Sequence, residues 1–198
     1  GDYGLPAPDY RISQAHPVIN SHYLCHVGQG DIVTKPDIAS LDGRRVTFVD
    51  GSVAEVDVLL HATGYEPHFP FLPEGMLKFD KGRPDLFLRM FHRQYDGLFL
   101  IGFVNAAAGL GNVVNAKGGL LAAYLTARER DSVAYRRFRE IVNGPEPDLG
   151  SDSFIDTKRH AYEVDLWKYI KALSFFRTKL QSSAAEEKQQ QESLAIGA

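Results

Sequence analysis

Asp57-Val58-Leu59-Leu60-His61-Ala62-Thr63-Gly64-Tyr65 is the stretch on which the fold turns. Residues 56–61 are largely apolar, and a short apolar run of this length predicts a strand buried on both faces. The run ends in a small residue, a threonine and a glycine. A strand end that passes beside a planar group or a phosphate has no room for a bulky side chain, and glycine lets the backbone turn there. Ala62-Thr63-Gly64 alone is a weak signal, because such triplets arise by chance. Its context strengthens it: an acidic turn at Asp50-Gly51-Ser52, then Glu55 and Asp57, leads into the apolar run. His61, within that run, reads as a core histidine.

Upstream, residues 1–20 are rich in proline, glycine and polar residues and read as a loop. Residues 31–61 read as a β-meander: strands at Ile32–Lys35, Ile38–Leu41, Arg45–Val49 and Val56–His61, with turn signals at Asp42-Gly43 and Asp50-Gly51. Downstream, residues 66–96 read as irregular, since they carry Pro67, Pro70, Pro73 and Pro84. Leu98-Phe99-Leu100-Ile101 predicts a short apolar strand ending at Gly102. Helical spacing of Val113, Val114, Leu120, Leu121, Tyr124 and Leu125 predicts a helix to about Arg130. A second helix is predicted from Ser132, a plausible N-cap, to Val142, with Asn143-Gly144 as its stop. Residues 144–153 read as a linker. Residues 156–180 carry a third helical pattern, and 181–198 a polar tail expected to be disordered. The class is α/β.

The composition excludes several functions. The chain has 198 residues, 44% hydrophobic and 24% charged, with a net charge of −3. This near-neutral balance argues against a nucleic-acid binder. One cysteine, Cys25, makes no internal disulfide. Residues 97–116 carry no charge, but Asn105, Asn112 and Asn115 and several glycines argue against a membrane span. No signal peptide is visible and the polar tail, Gln181–Ala198, lacks a membrane anchor, so a cytoplasmic setting is expected. The histidines show no ligand set, so no metal is expected. No G-x-S-x-G elbow marks a nucleophilic serine.

The order of motifs resembles the C-terminal part of the flavin-containing monooxygenase family. Ala62-Thr63-Gly64 resembles the second Ala-Thr-Gly linker of flavoproteins with two dinucleotide-binding domains, and Tyr65 with Phe69-Pro70-Phe71-Leu72 narrows it to that family. Gly4-Leu5-Pro6 with Pro8 and Arg11, Gly30-Asp31-Ile32, Lys35-Pro36-Asp37-Ile38, Gly97–Gly102, and Arg159 with Val164-Asp165 and Tyr169 agree with it. The resemblance implies that residues 1–61 close an NADP-binding lobe with its β-meander, and that 62–180 return to an FAD-binding lobe. It implies cofactor contact at Thr63, Gly64 and Tyr65, as a hinge, and at Gly102, Phe103 and Asn105, beside the flavin. No catalytic side chain is implied.

The reaction so implied is oxygenation of a small amine or sulfide by NADPH and O2, through a hydroperoxyflavin formed on FAD. The chain departs from the family pattern at Asn112, Asn115 and Lys117, where proline, an acid and glutamine are usual, and at Leu120, where an aromatic often stands. The glycine-rich phosphate loops of the family's first half do not occur in these residues, so the chain is expected to be a fragment, inactive alone. Its partner would be the missing N-terminal half, or further copies of itself. Two alternatives stand beside this: a non-catalytic or degenerate binding module, and a fragment of a Baeyer–Villiger-type monooxygenase.

Overall fold

The computed structural model describes all residues except 1–2, 6, 16–19, 107–108 and 197–198, and no side chains from 183 onward. The protein is mixed α/β, with small sheets and four helices. It forms two compact units: Gly1–Asp9 with Val18–Phe71, and Tyr10–Pro17 with Leu72–Ala198.

The first unit holds α1 (His22–Gln29) and an antiparallel sheet of β1 (Ile38–Asp42), β2 (Arg45–Phe48) and β3 (Val53–Glu55). α1 lies outside the sequence expectation, which assigns no helix there. The Asn20 carboxamide accepts from His22 N and Tyr23 N at its start. Gly30, at φ 84°, ends it, with Gly30 N donating to Val27 O and Asp31 N to His26 O, the paired bonds of a Schellman motif. The meander is present with both expected turns. Gly43 has φ 57° between the paired Asp42 and Arg45. The Asp50 carboxylate accepts from Ser52 N at 2.8 Å, and this bond holds its pKa below the usual aspartate value.

Two expected strands are absent. Ile32–Lys35 is irregular. Among the described residues, 56–61 make one backbone bond, Val56 N to Arg44 O, and an exposed Arg44–Asp57 ion pair. Instead of lying buried, Val58 is 81% and Leu60 86% exposed, and His61 is exposed as well. The apolar run has strand composition, but among the described residues no neighbouring strand completes a ladder with it.

The second unit is built on two hairpins and three helices. β4 (Phe79–Asp80) pairs with β5 (Arg83–Pro84), and β6 (Leu86–Phe87) with β7 (Phe91–His92). Both lie in the stretch expected to be irregular. The first turns through Lys81 and Gly82, both at positive φ, the geometry of a two-residue type I′ hairpin. Leu98–Ile101 forms a single antiparallel bridge, Phe91 to Phe99, rather than a full strand. It is also largely covered.

α2 (Gly111–Glu129) and α3 (Val133–Val142) follow the expected spans. Ser132 caps α3, its side chain accepting from Tyr135 N at 3.1 Å. α4 (Leu166–Ile196) starts later than expected, because the Asp165 carboxylate caps it by accepting from Lys168 N and Val164 is held in a bridge region opposite Asn105. Helix continues past Gln181 where a disordered tail was expected; alanine, glutamate, lysine and glutamine favour helix without help from packing.

α2, α3 and α4 pack around the β6–β7 hairpin. Phe91 is fully buried, its ring 5.0 Å from Phe138, 5.1 Å from Tyr124 and 5.7 Å from Phe99. Phe176, from α4, joins through Phe87 and Phe138. Edge-to-face rings add to the burial term. Phe91→Ala should therefore cost about 3–5 kcal/mol, a large part of a domain's stability, read from denaturant midpoints. A loss below about 1 kcal/mol would show that this ring cluster is not the core.

In the first unit, Val58 and Leu60 present apolar surface to solvent, and such patches drive association. The double variant Val58→Thr, Leu60→Lys should raise the temperature at which light scattering sets in, without shifting the melting of the helical unit. An unmoved onset would rule this stretch out as the source of aggregation.

Candidate functional site

The expected contact residues fall on two segments, one in each unit. Thr63, Gly64 and Tyr65 form an exposed, irregular stretch. Gly64 has φ 88°, which only glycine adopts without strain, and a Cβ there would meet nothing within 4 Å.

Gly102, Phe103 and Asn105 are on the segment that leaves the Phe91–Phe99 bridge. Gly102 is exposed, and a Cβ on it would also meet nothing within 4 Å. Phe103 has φ 56°, a left-handed conformation that costs a bulky residue about 1–3 kcal/mol and persists only where its surroundings fix it. What fixes it can be named. On one side the Phe103 ring meets the Tyr162 ring at 5.5 Å, and Tyr162 Oη donates to Gly82 O. Asn105 N donates to Tyr162 O at 2.7 Å, and Val164 N to Asn105 O at 3.0 Å. Asn105 Nδ2 donates to the buried Glu163 carboxylate at 2.6 Å, so its carboxamide is oriented by protein.

On the other side is Lys117. It is fully buried in α2, and its Nζ donates to Ile101 O at 2.8 Å, Gly102 O at 3.1 Å and Arg89 O at 3.1 Å. Lys117 and Arg89 were missed as site-forming residues. A signal for Lys117 existed: it shares a helical face with Val113, Leu120 and Tyr124, all buried. A lysine on an apolar stripe needs acceptors. Glu163 and Tyr162 gave no comparable signal.

A family model described as flavin-binding monooxygenase-like matches residues 1–181. The chain belongs to that family. Flavin-containing monooxygenase 1 of Sus scrofa is 32% identical over 112 residues, which cover 55% of this chain and 21% of that protein. Dimethylaniline monooxygenase (N-oxide-forming) 2 of Oryctolagus cuniculus is 34% identical over 96 residues, or 48% of this chain and 18% of that protein. The chain thus matches about a fifth of these relatives' length. Membership implies a flavin cofactor.

The Gly102–Asn105 segment fits such a group in part. The open face over Gly102 admits close approach of a flat ring. Asn105 has committed one amide N–H to Glu163, so a ring contact from it falls to Oδ1 or the second N–H. No group of three metal-ligating side chains occurs among the described residues, and none of the described helices is long and apolar enough to cross a membrane.

The buried lysine makes the unit's stability depend on pH. Burial, reinforced by the Arg89 guanidinium, lowers the Lys117 pKa from the ordinary lysine value to about 7, while the three carbonyl dipoles act in the opposite sense. In the unfolded chain the amine titrates near about 10.4. From about 7 up to that value the unfolded chain binds more protons, so this group makes stability rise with pH. Above about 10, Tyr124, which burial pushes up to about 12, and Tyr169, raised further by burial, act the other way. Denaturant midpoints should climb from pH 6 to 9, and Lys117→Met should remove most of that climb. An equal climb in the variant would show that Lys117 is not its source.

Proposed function

We propose that the chain is the C-terminal portion of an FAD- and NADPH-dependent monooxygenase that oxygenates soft nitrogen or sulfur nucleophiles. The family match over residues 1–181 supports this, as does the likeness to a relative named as N-oxide-forming. The observation that carries it is the backbone turn at Gly102-Phe103, strained, pinned from both sides and bare on its outer face. Backbone strain clusters at ligand sites, and a glycine at a segment end admits close approach.

In this reading Gly102 admits the isoalloxazine, and Phe103 and Asn105 set the edge beside it. Thr63-Gly64-Tyr65 serves as hinge between an NADP-binding and an FAD-binding lobe, in a two-dinucleotide-domain fold. A bound flavin would take hydride from NADPH and activate O2; the protein's part is to position the ring and exclude water. The setting is cytoplasmic, and the substrate a small amine or sulfide.

Two measurements test it. Produced together with sequence that supplies the glycine-rich phosphate loops, the chain should purify yellow and form the N-oxide of dimethylaniline with NADPH and O2. A colourless product that leaves NADPH unoxidised would overturn the reading. In that holoprotein, Gly102→Val should weaken flavin retention tenfold or more while changing stability by less than about 1 kcal/mol, because a Cβ there meets nothing within 4 Å in this chain. Full flavin retention by the variant would remove Gly102 from the contact.

A further inference from the structure

Lys117 has all three of its hydrogen bonds on main-chain carbonyls. An ammonium carries three N–H groups, and here each has one acceptor. Two of the acceptors, Ile101 O and Gly102 O, are consecutive and immediately precede the strained Phe103. The third, Arg89 O, belongs to the turn between β6 and β7, where Leu88 and Arg89 are themselves at φ 53° and 52°. The lysine therefore joins two strained backbone segments through one buried cation.

We infer that Lys117 is a positioning residue that holds the Gly102–Asn105 segment, by its carbonyls, in the shape that leaves the outer face of Gly102 open to a flat ligand. The inference deepens the reading of that segment as a flavin contact and rests on it. The carbonyls of Ile101 and Gly102 are drawn inward onto the ammonium. Phe103 then has to take up the change of direction before Asn105 locks into its bridge with Glu163. Without the cation, the carbonyls of Ile101 and Gly102 would seek other donors, and Phe103 would be held left-handed from the Tyr162 side alone.

The clamp depends on the proton. A neutral amine has two N–H groups for three carbonyls and turns a lone pair toward the third. The Arg89 guanidinium of the hairpin turn acts on Nζ through its charge, and the Tyr169 ring of α4 lies 5.8 Å from it; Glu146 pairs with Arg89 at 2.8 Å. Deprotonation near neutral pH would thus strengthen the fold as a whole, by removing a buried charge, while it loosens residues 101–106. Those opposite signs separate a positioning role from a merely structural one.

The test is hydrogen exchange followed by mass spectrometry on the 198-residue chain, with rates corrected for the intrinsic effect of pH. Protection of residues 101–106 should fall roughly tenfold from pH 6 to pH 9, as expected for a lost bond to a charged group, while α3 keeps its protection. Lys117→Arg, charged throughout, should abolish that dependence. Lys117→Met should lack the protection at both pH values. Equal protection in folded wild type and Lys117→Met would overturn the clamp. So would a pH dependence that survives in Lys117→Arg, which decides the matter if the methionine variant does not fold. Quenching of lumiflavin fluorescence by the same chain is measured beside it. The expected exchange pattern without quenching would support the clamp and count against the flavin contact alone.

Discussion

Buried backbone carbonyls have to find donors, and among the described residues of the helical unit no long β-ladder supplies them. The β6–β7 turn shows how the constraint is met. Leu88, Arg89 and Met90 are buried, and their carbonyls accept in turn from Tyr169 Oη at 2.7 Å, Lys117 Nζ at 3.1 Å and Leu100 N at 2.9 Å. Each such group left unmet would cost about 1–3 kcal/mol, and each left-handed non-glycine residue about 1–2 kcal/mol more. The turn survives because α2, α4 and the Leu98–Ile101 segment each contribute one donor. The aromatic cluster over it, centred on Phe91, can then exclude water without stranding these three carbonyls. Packing and polar satisfaction are the same arrangement here, and Lys117 is where they meet.

The parts of this fold that could be read from the sequence are those fixed by local periodicity. α2 and α3 follow the spacing of their apolar residues, and Ser132 caps as serine does before a helix. The turns at Asp42-Gly43 and Asp50-Gly51 were legible because glycine marks positive φ. Lys81-Gly82 carries the same mark and was passed over among prolines. The turn at Leu88-Arg89-Met90 carries no mark, since its left-handed residues are held by contacts from α2 and α4 rather than by their own preference. Residues 56–61 show the converse: strand composition without a strand. Val58 and Leu60 read as buried because their neighbours are apolar, but burial needs a covering surface, and among the described residues none covers them.

The candidate site divides the same way. Gly102 was legible as the end of an apolar run, and Gly64 as the end of another. What makes the first more than a turn was not legible. Asn105 is oriented by Glu163, 58 residues later, and Phe103 by Tyr162. Such pairings leave no local pattern, since neither partner's spacing refers to the other. Lys117 was visible as a departure from the pattern the resemblance implies and as a lysine on an apolar helix face. Its meaning required knowing that three carbonyls converge on it.

That departure can be weighed against its neighbours. Asn112 and Asn115 also differ from the pattern the resemblance implies, and both are exposed on α2. An exposed amide can replace an acid or a proline on a helix surface with little effect on the segment below. Lys117 is different because its charge is enclosed. Glutamine, which the resemblance implies at that place, offers two N–H groups and no charge; lysine offers three and a positive charge that burial makes costly. The third donor reaches the second strained segment, joining the β6–β7 turn to the Gly102 edge. A chain with glutamine there would have to satisfy one of those carbonyls by another route. The backbone at Gly102 and the packing of the hairpin are therefore coupled in this protein through one side chain, and a change at either end has to be felt at the other.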